Sequence, residues 1–115
     1  MAFGTAAGAA LGTSPPTPVM TTASNDERAI IKFGSGATPT TGTALTFTLA
    51  GNYSSTLDGE GFVTPFLAPL NAATAALGLY IVSVTGQSIV LGVTTAPAAS
   101  QAVGTYQVAV KVELF

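Results

Sequence analysis

One concentrated acidic feature of this chain is Asp58-Gly59-Glu60-Gly61, two carboxylates separated by a single residue. Paired carboxylates serve glycosidases when they stand about 5–9.5 Å apart across a sugar cleft. Such clefts generally use aromatic platforms, and the chain has no Trp. Carboxylates also contribute to calcium sites, which gather about six to eight oxygens. Asp58, Glu60 and Asn52 fall short of that number without carbonyls or a second subunit. The simpler reading is an exposed Gly-rich turn kept soluble by two charges.

Other reactive groups are scarce. With no His and no Cys, the chain lacks the usual base near neutral pH, the commonest transition-metal ligands and a thiolate nucleophile. A Ser-His-Asp triad, a zinc hydrolase of the usual kind and a thiol enzyme are thereby excluded. A Ser–Lys dyad would have to use Lys32 or Lys111, and both fall in predicted strands, where a solvated, outward lysine is expected. Gly34-Ser35-Gly36 has neither the Lys-Ser/Thr pair nor the following helix of a phosphate-binding loop and reads as a turn. Tyr53, Tyr80 and Tyr106 could stack on sugars, but their positions in β segments point to packing. The expectation is a protein that is not an enzyme and takes no cofactor or metal.

Composition points the same way. Charged residues make up 7% of the chain and apolar residues 48%, against about 25% charged in ordinary soluble domains. A free monomer so poor in charge is weakly protected against sticking to its neighbours, so the chain reads as one meant to be covered by other chains. The cations are Arg28, Lys32 and Lys111, too few for a nucleic-acid footprint. No run approaches the 18 apolar residues of a membrane-spanning helix. Arg28 is the first cation, and Gly4, Gly8 and Gly12 interrupt the only early apolar stretch, which argues against a secretory signal. Without cysteine the redox compartment is undetermined.

The elements that would position these residues divide into an arm and a body. Residues 1–24 are mostly Ala, Gly, Thr, Ser and Pro, and Pro15, Pro16 and Pro18 favour extended conformations. Such a segment buries too little apolar surface to order by itself, so an extended arm ordering along neighbouring subunits is expected. Pro15, Pro16, Pro18 and Val19 in the arm, with Asp26, Glu27 and Arg28 where it meets the body, are the candidate partner-binding residues. Arg28 is suited to pairing with a neighbour's carboxylate.

Residues 25–115 show short runs of β formers between turns. Arg28–Phe33 is the first strand. Leu45, Phe47 and Leu49 alternate with Thr46 and Thr48 in the second. Phe62–Leu70 carries Pro65 and Pro69 and belongs at a sheet edge or outside the sheet. Asn71–Leu77 is the one helical segment, capped by Asn71 and stopped by Gly78. Leu79–Val84 and Ser88–Val93 form a hairpin around Thr85-Gly86-Gln87, where Gly86 is expected to supply positive φ. In the last strand Tyr106, Val108, Val110, Val112 and Leu114 share one face. Six strands and one short helix do not make a parallel α/β domain. The fold expected is all-β, an antiparallel β-sandwich of jelly-roll or Ig-like type. Its Thr-rich outer faces would carry no charge and would be available to another protein.

Three segments also carry a likeness. Phe33-Gly34-Ser35-Gly36-Ala37-Thr38-Pro39 leads into Leu45-Thr46-Phe47-Thr48-Leu49. Phe66-Leu67-Ala68-Pro69-Leu70-Asn71-Ala72-Ala73-Thr74-Ala75-Ala76-Leu77-Gly78 follows, and Thr94-Thr95-Ala96-Pro97-Ala98-Ala99-Ser100 precedes the closing strand. Together they resemble a small β module of bacteriophage virion proteins, including head decoration and fibre or tail proteins. The resemblance implies a β-sandwich that forms homo-oligomers, commonly trimers, and carries no catalytic residues. With the uncharged arm and no repetitive shaft, the chain looks like a capsid decoration or cement protein that binds the major capsid protein on the virion exterior. The alternative is a phage fibre or receptor-binding module recognising a host-surface glycan or protein. A third option is an adhesin or pilin-like subunit exchanging strands with its neighbours.

Overall fold

The computed structural model describes residues 4–21, 25, 27–54 and 61–114. In chain order the elements are β1 (Gly4–Ala7), a 3-10 turn (Ala9–Leu11), β2 (Val19–Met20), β3 (Arg28–Phe33), β4 (Gly42–Thr48) and β5 (Val63–Pro69). They continue with α1 (Ala72–Ala75), β6 (Leu79–Val84), β7 (Ser88–Val93) and β8 (Tyr106–Leu114). Two four-stranded sheets result, sheet I in the order β1-β4-β7-β6 and sheet II in the order β2-β3-β8-β5. Every strand pairing is antiparallel, so the fold is an all-β sandwich.

Period-two patterning sets the inner faces. β3 buries Ala29, Ile31 and Phe33 while Arg28, Ile30 and Lys32 stay exposed, and β8 buries Tyr106, Val108, Val110 and Val112. Leu114, the fifth member of that apolar face, is 51% exposed at the strand end. β8 pairs with β3 on one side and β5 on the other, so a one-residue slip would turn Lys111 and Glu113 inward. From sheet I, Leu45, Phe47, Ile89 and Leu91 complete the core.

The pairing is nested, since β3 and β4 run through the two sheets beside β8 and β7 respectively. The last strand is interior to its sheet, whereas the immunoglobulin arrangement puts its last strand at an edge.

The segment expected to order along neighbouring subunits is, within residues 4–21, paired with its own chain. β1 pairs with β4 and β2 with β3, and Leu11 and Ala10 between them are 0% and 1% exposed. Full burial of a Leu side chain contributes about 1.5–3 kcal/mol, which helps offset the ordering cost. Backbone bonds lock the segment: the Gly36 amide donates to the Leu11 carbonyl at 2.7 Å and the Thr40 amide to the Ala10 carbonyl at 3.0 Å. The Cα radius of gyration is 13.4 Å, about that of a compact domain of this length.

Two local expectations resolve differently. Asn71 caps α1 by accepting from the Thr74 amide at 2.9 Å, and Gly78 follows with φ +63°. Gly86, however, is not among the left-handed glycines. It is required because a Cβ there would stand 2.1 Å from the Tyr53 carbonyl oxygen. The turn is closed instead by Thr85, whose Oγ1 accepts from the Gln87 and Ser88 amides at 3.2 and 3.0 Å.

Candidate partner-binding surfaces

Residues singled out for catalysis do not converge. Lys32 and Lys111 are exposed on the outer face of sheet II. Ser35 is 2% exposed and fully engaged, since its Oγ donates to the Ala98 carbonyl and accepts from the Gln101 amide at 3.1 Å. The Gly34-Ser35-Gly36 segment is a buried cross-link and no phosphate cradle. The Ser35 and Gly36 amides already donate to the Gln101 and Leu11 carbonyls, and a Cβ at Gly36 would stand 1.9 Å from the Thr13 carbonyl oxygen.

The tyrosines are also dispersed. Tyr106 is buried, its ring centroid 5.3 Å from that of Phe33, and its hydroxyl accepts from the Ala98 amide at 3.0 Å. Tyr53 packs half-buried against the core. Tyr80 alone is exposed, its ring tip lying over Gly92, where a Cβ would come within 2.5 Å of Cζ. Asp58 and Glu60 lie outside the described residues. Among the described residues no group of three or more His, Cys, Asp or Glu could hold a metal ion, and no helix is long and apolar enough to cross a membrane.

The candidate partner-binding residues divide between the interior and the surface. Pro18 is buried, Pro15 and Pro16 are half-buried, and Val19 is 50% exposed on β2. The Pro18 carbonyl accepts from the Thr5 hydroxyl at 3.2 Å, joining the approach to β2 with β1. At the junction, Asn25 Oδ1 accepts from the Glu27 and Arg28 amides at 2.9 and 3.1 Å, and the Glu27 carbonyl accepts from the Val112 amide at 2.7 Å. A side-chain-closed turn thus fixes where β3 begins. Asp26 lies outside the described residues.

The sheets bring together what the linear order separates. Every described charged residue belongs to sheet II or to the turn leading into it: Glu27, Arg28, Lys32, Lys111 and Glu113. Arg28 and Lys111 are cross-strand partners, an unfavourable pairing of like charges, relieved in part by the Lys111–Glu113 ion pair at 3.1 Å. Between these charges run Ile30, Ala68, Ala109 and Phe66, the last 52% exposed, and they line an open trough of about 1180 Å³.

Sheet I is the opposite case. No residue of β1, β4, β6 or β7 carries a charge, and the outer face presents Ala6, Thr46, Thr48, Val90 and Tyr80. No signal in any single strand marks this face, because it arises only when four uncharged strands lie side by side. Comparison with protein families, curated proteins and solved structures gives no match to this chain.

Proposed function

We propose that the protein is a structural component of a larger protein assembly that docks through the uncharged outer face of sheet I. The supporting observation is the absence of any charged side chain from all four strands of that sheet, although the chain places charge on the other. A face without full charges avoids the largest desolvation cost, and charge is depleted at the centres of protein interfaces. Within this reading the narrower assignment is a capsid decoration or cement protein on the virion exterior, bound to the major capsid protein as a homo-oligomer. It rests on the bacteriophage-module resemblance. Several copies tethered in one oligomer would raise each other's effective concentration at the shell.

The test is cosedimentation with expanded capsids of the encoding phage. Val90→Glu, in the centre of the sheet I face, should reduce binding at least about tenfold, the effect of roughly 1.4 kcal/mol. Lys111→Glu on sheet II should leave it nearly unchanged. Equal binding by Val90→Glu and the parent protein would remove the docking assignment. Attachment to host cells without capsid binding would favour the fibre or receptor-binding reading, whose supporting observation is the exposed Tyr80 ring over Gly92.

A further inference from the structure

We propose that β6 is a self-association edge that pairs antiparallel with β6 of a second copy, joining two four-stranded sheets into one. This is independent of what the face of sheet I binds. Four strands end the two sheets: β1 and β6 in sheet I, β2 and β5 in sheet II. Exposed strand edges present unpaired N–H and C=O groups and are normally guarded by proline, charge, shortness or cover. β5 carries Pro65 and Pro69, which lack donors. β2 is two residues long. β1 has four residues, and its Thr5 hydroxyl is tied to the Pro18 carbonyl before β2.

β6 has the least protection. It runs for six residues, Leu79-Tyr80-Ile81-Val82-Ser83-Val84, without proline or charge. Tyr80, Ile81 and Val82 are exposed by 40%, 36% and 44%. Its ladder partner is β7, and no backbone group of residues 79–84 bonds any other described residue. The ladder irregularity between Ile81 and Ser83 is its one guard. It breaks the alternation, so that three consecutive apolar side chains are exposed.

The occupant follows from chemistry and symmetry. Only another extended strand satisfies a row of alternating backbone donors and acceptors. A two-fold axis through the sheet supplies one in the antiparallel direction, and two-fold dimers are the commonest oligomers. Such an axis also sets each residue near its own counterpart. A charged strand would meet its own charge, whereas every strand of sheet I is neutral. β5 lies beside β6 on the same side of the sandwich, so the copies would meet along a wall about 20 Å long and two sheets deep, the sheets about 10 Å apart. That is less than the roughly 800 Å² per partner of a standard interface. The contact is therefore concentration-dependent, forming readily where copies are already held side by side.

Sedimentation equilibrium of the full chain over a wide concentration range tests this. The expected result is a monomer–dimer equilibrium that added salt does not weaken, because no charged pair crosses the contact. Val82→Lys should raise the dimer dissociation constant at least about tenfold while matching the parent's melting temperature at concentrations where both are monomeric, whereas Ile30→Lys on sheet II should leave the dissociation constant unchanged. Oxidised Val82→Cys should give a disulfide-linked dimer, since a two-fold near residue 82 brings the two thiols together. A protein that stays monomeric at every concentration, a trimer, or a dimer that Val82→Lys leaves intact would each overturn the proposal. Capsid binding by a monomeric Val82→Lys variant would leave it standing, which separates it from the docking assignment above.

Discussion

The two sheets share one core and differ outside. Phe47, Ile89 and Leu91 of sheet I meet Ile31, Phe33 and Val108 of sheet II in a common apolar layer, yet sheet II carries charge on its outer face and sheet I has none. Folding needs apolar inner faces and is nearly indifferent to the chemistry of an exposed outer one, where substitutions usually change stability by less than about 0.5 kcal/mol. Under the proposed function the difference between the sheets reflects what each faces: the neutral sheet I a protein surface, and sheet II a mixture of charge and the exposed Ile30 and Phe66.

The shared layer should be the most sensitive part. Phe47→Ala is expected to cost about 3–5 kcal/mol in urea unfolding. Leu11→Ala should cost about 2–5 kcal/mol, although Leu11 precedes Pro15, Pro16 and Pro18 in the arm, and a loss below about 0.5 kcal/mol would restore the separable arm. Smaller effects belong to the polar ties at the ends of the sandwich. Ser35→Ala removes the buried hydroxyl and leaves the part-buried Gln101 amide without its side-chain acceptor, and should cost about 1–3 kcal/mol. Asn71→Ala removes the α1 cap and the 3.1 Å bond to the Thr105 carbonyl, for about 1 kcal/mol by thermal unfolding.

The outer faces give the smallest stability changes and the sharpest contrast. Lys111→Met removes the like charge opposite Arg28 along with an ion pair whose side chains are 69% and 55% exposed. Screening makes both terms small, so the melting curve should move by no more than about 0.5 kcal/mol. Placing charge on sheet I should be similarly mild for stability while changing what the protein adheres to. If equivalent charges on sheets I and II alter adhesion equally, the contrast between the sheets has no functional content.

Much of the fold is legible along the chain because alternation is a local property. Arg28–Phe33, Leu79–Val84 and Ser88–Val93 are strands in the structure with those bounds, the last alternating run forms β8 from Tyr106, and Pro65 and Pro69 mark β5 as an edge strand. The partner-binding surfaces were less legible. Proline and charge mark Pro15 to Arg28 for attention, yet Pro18 is buried and the junction is largely a hydrogen-bonded turn.

Composition and alternation alone establish an all-β chain short of charge, with its core strands and their inward residues. Tertiary pairing made strands of Gly4–Ala7 and Val19–Met20, the first poor in β formers and the second only two residues long, because β4 and β3 offer them free edges. Pairing also drew Arg28 and Lys111, 83 positions apart in the numbering, onto one face and left the other sheet neutral. Side-chain alternation is written within a strand, but which strands become neighbours depends on contacts between distant segments, and so the division of charge between the sheets emerges only on folding.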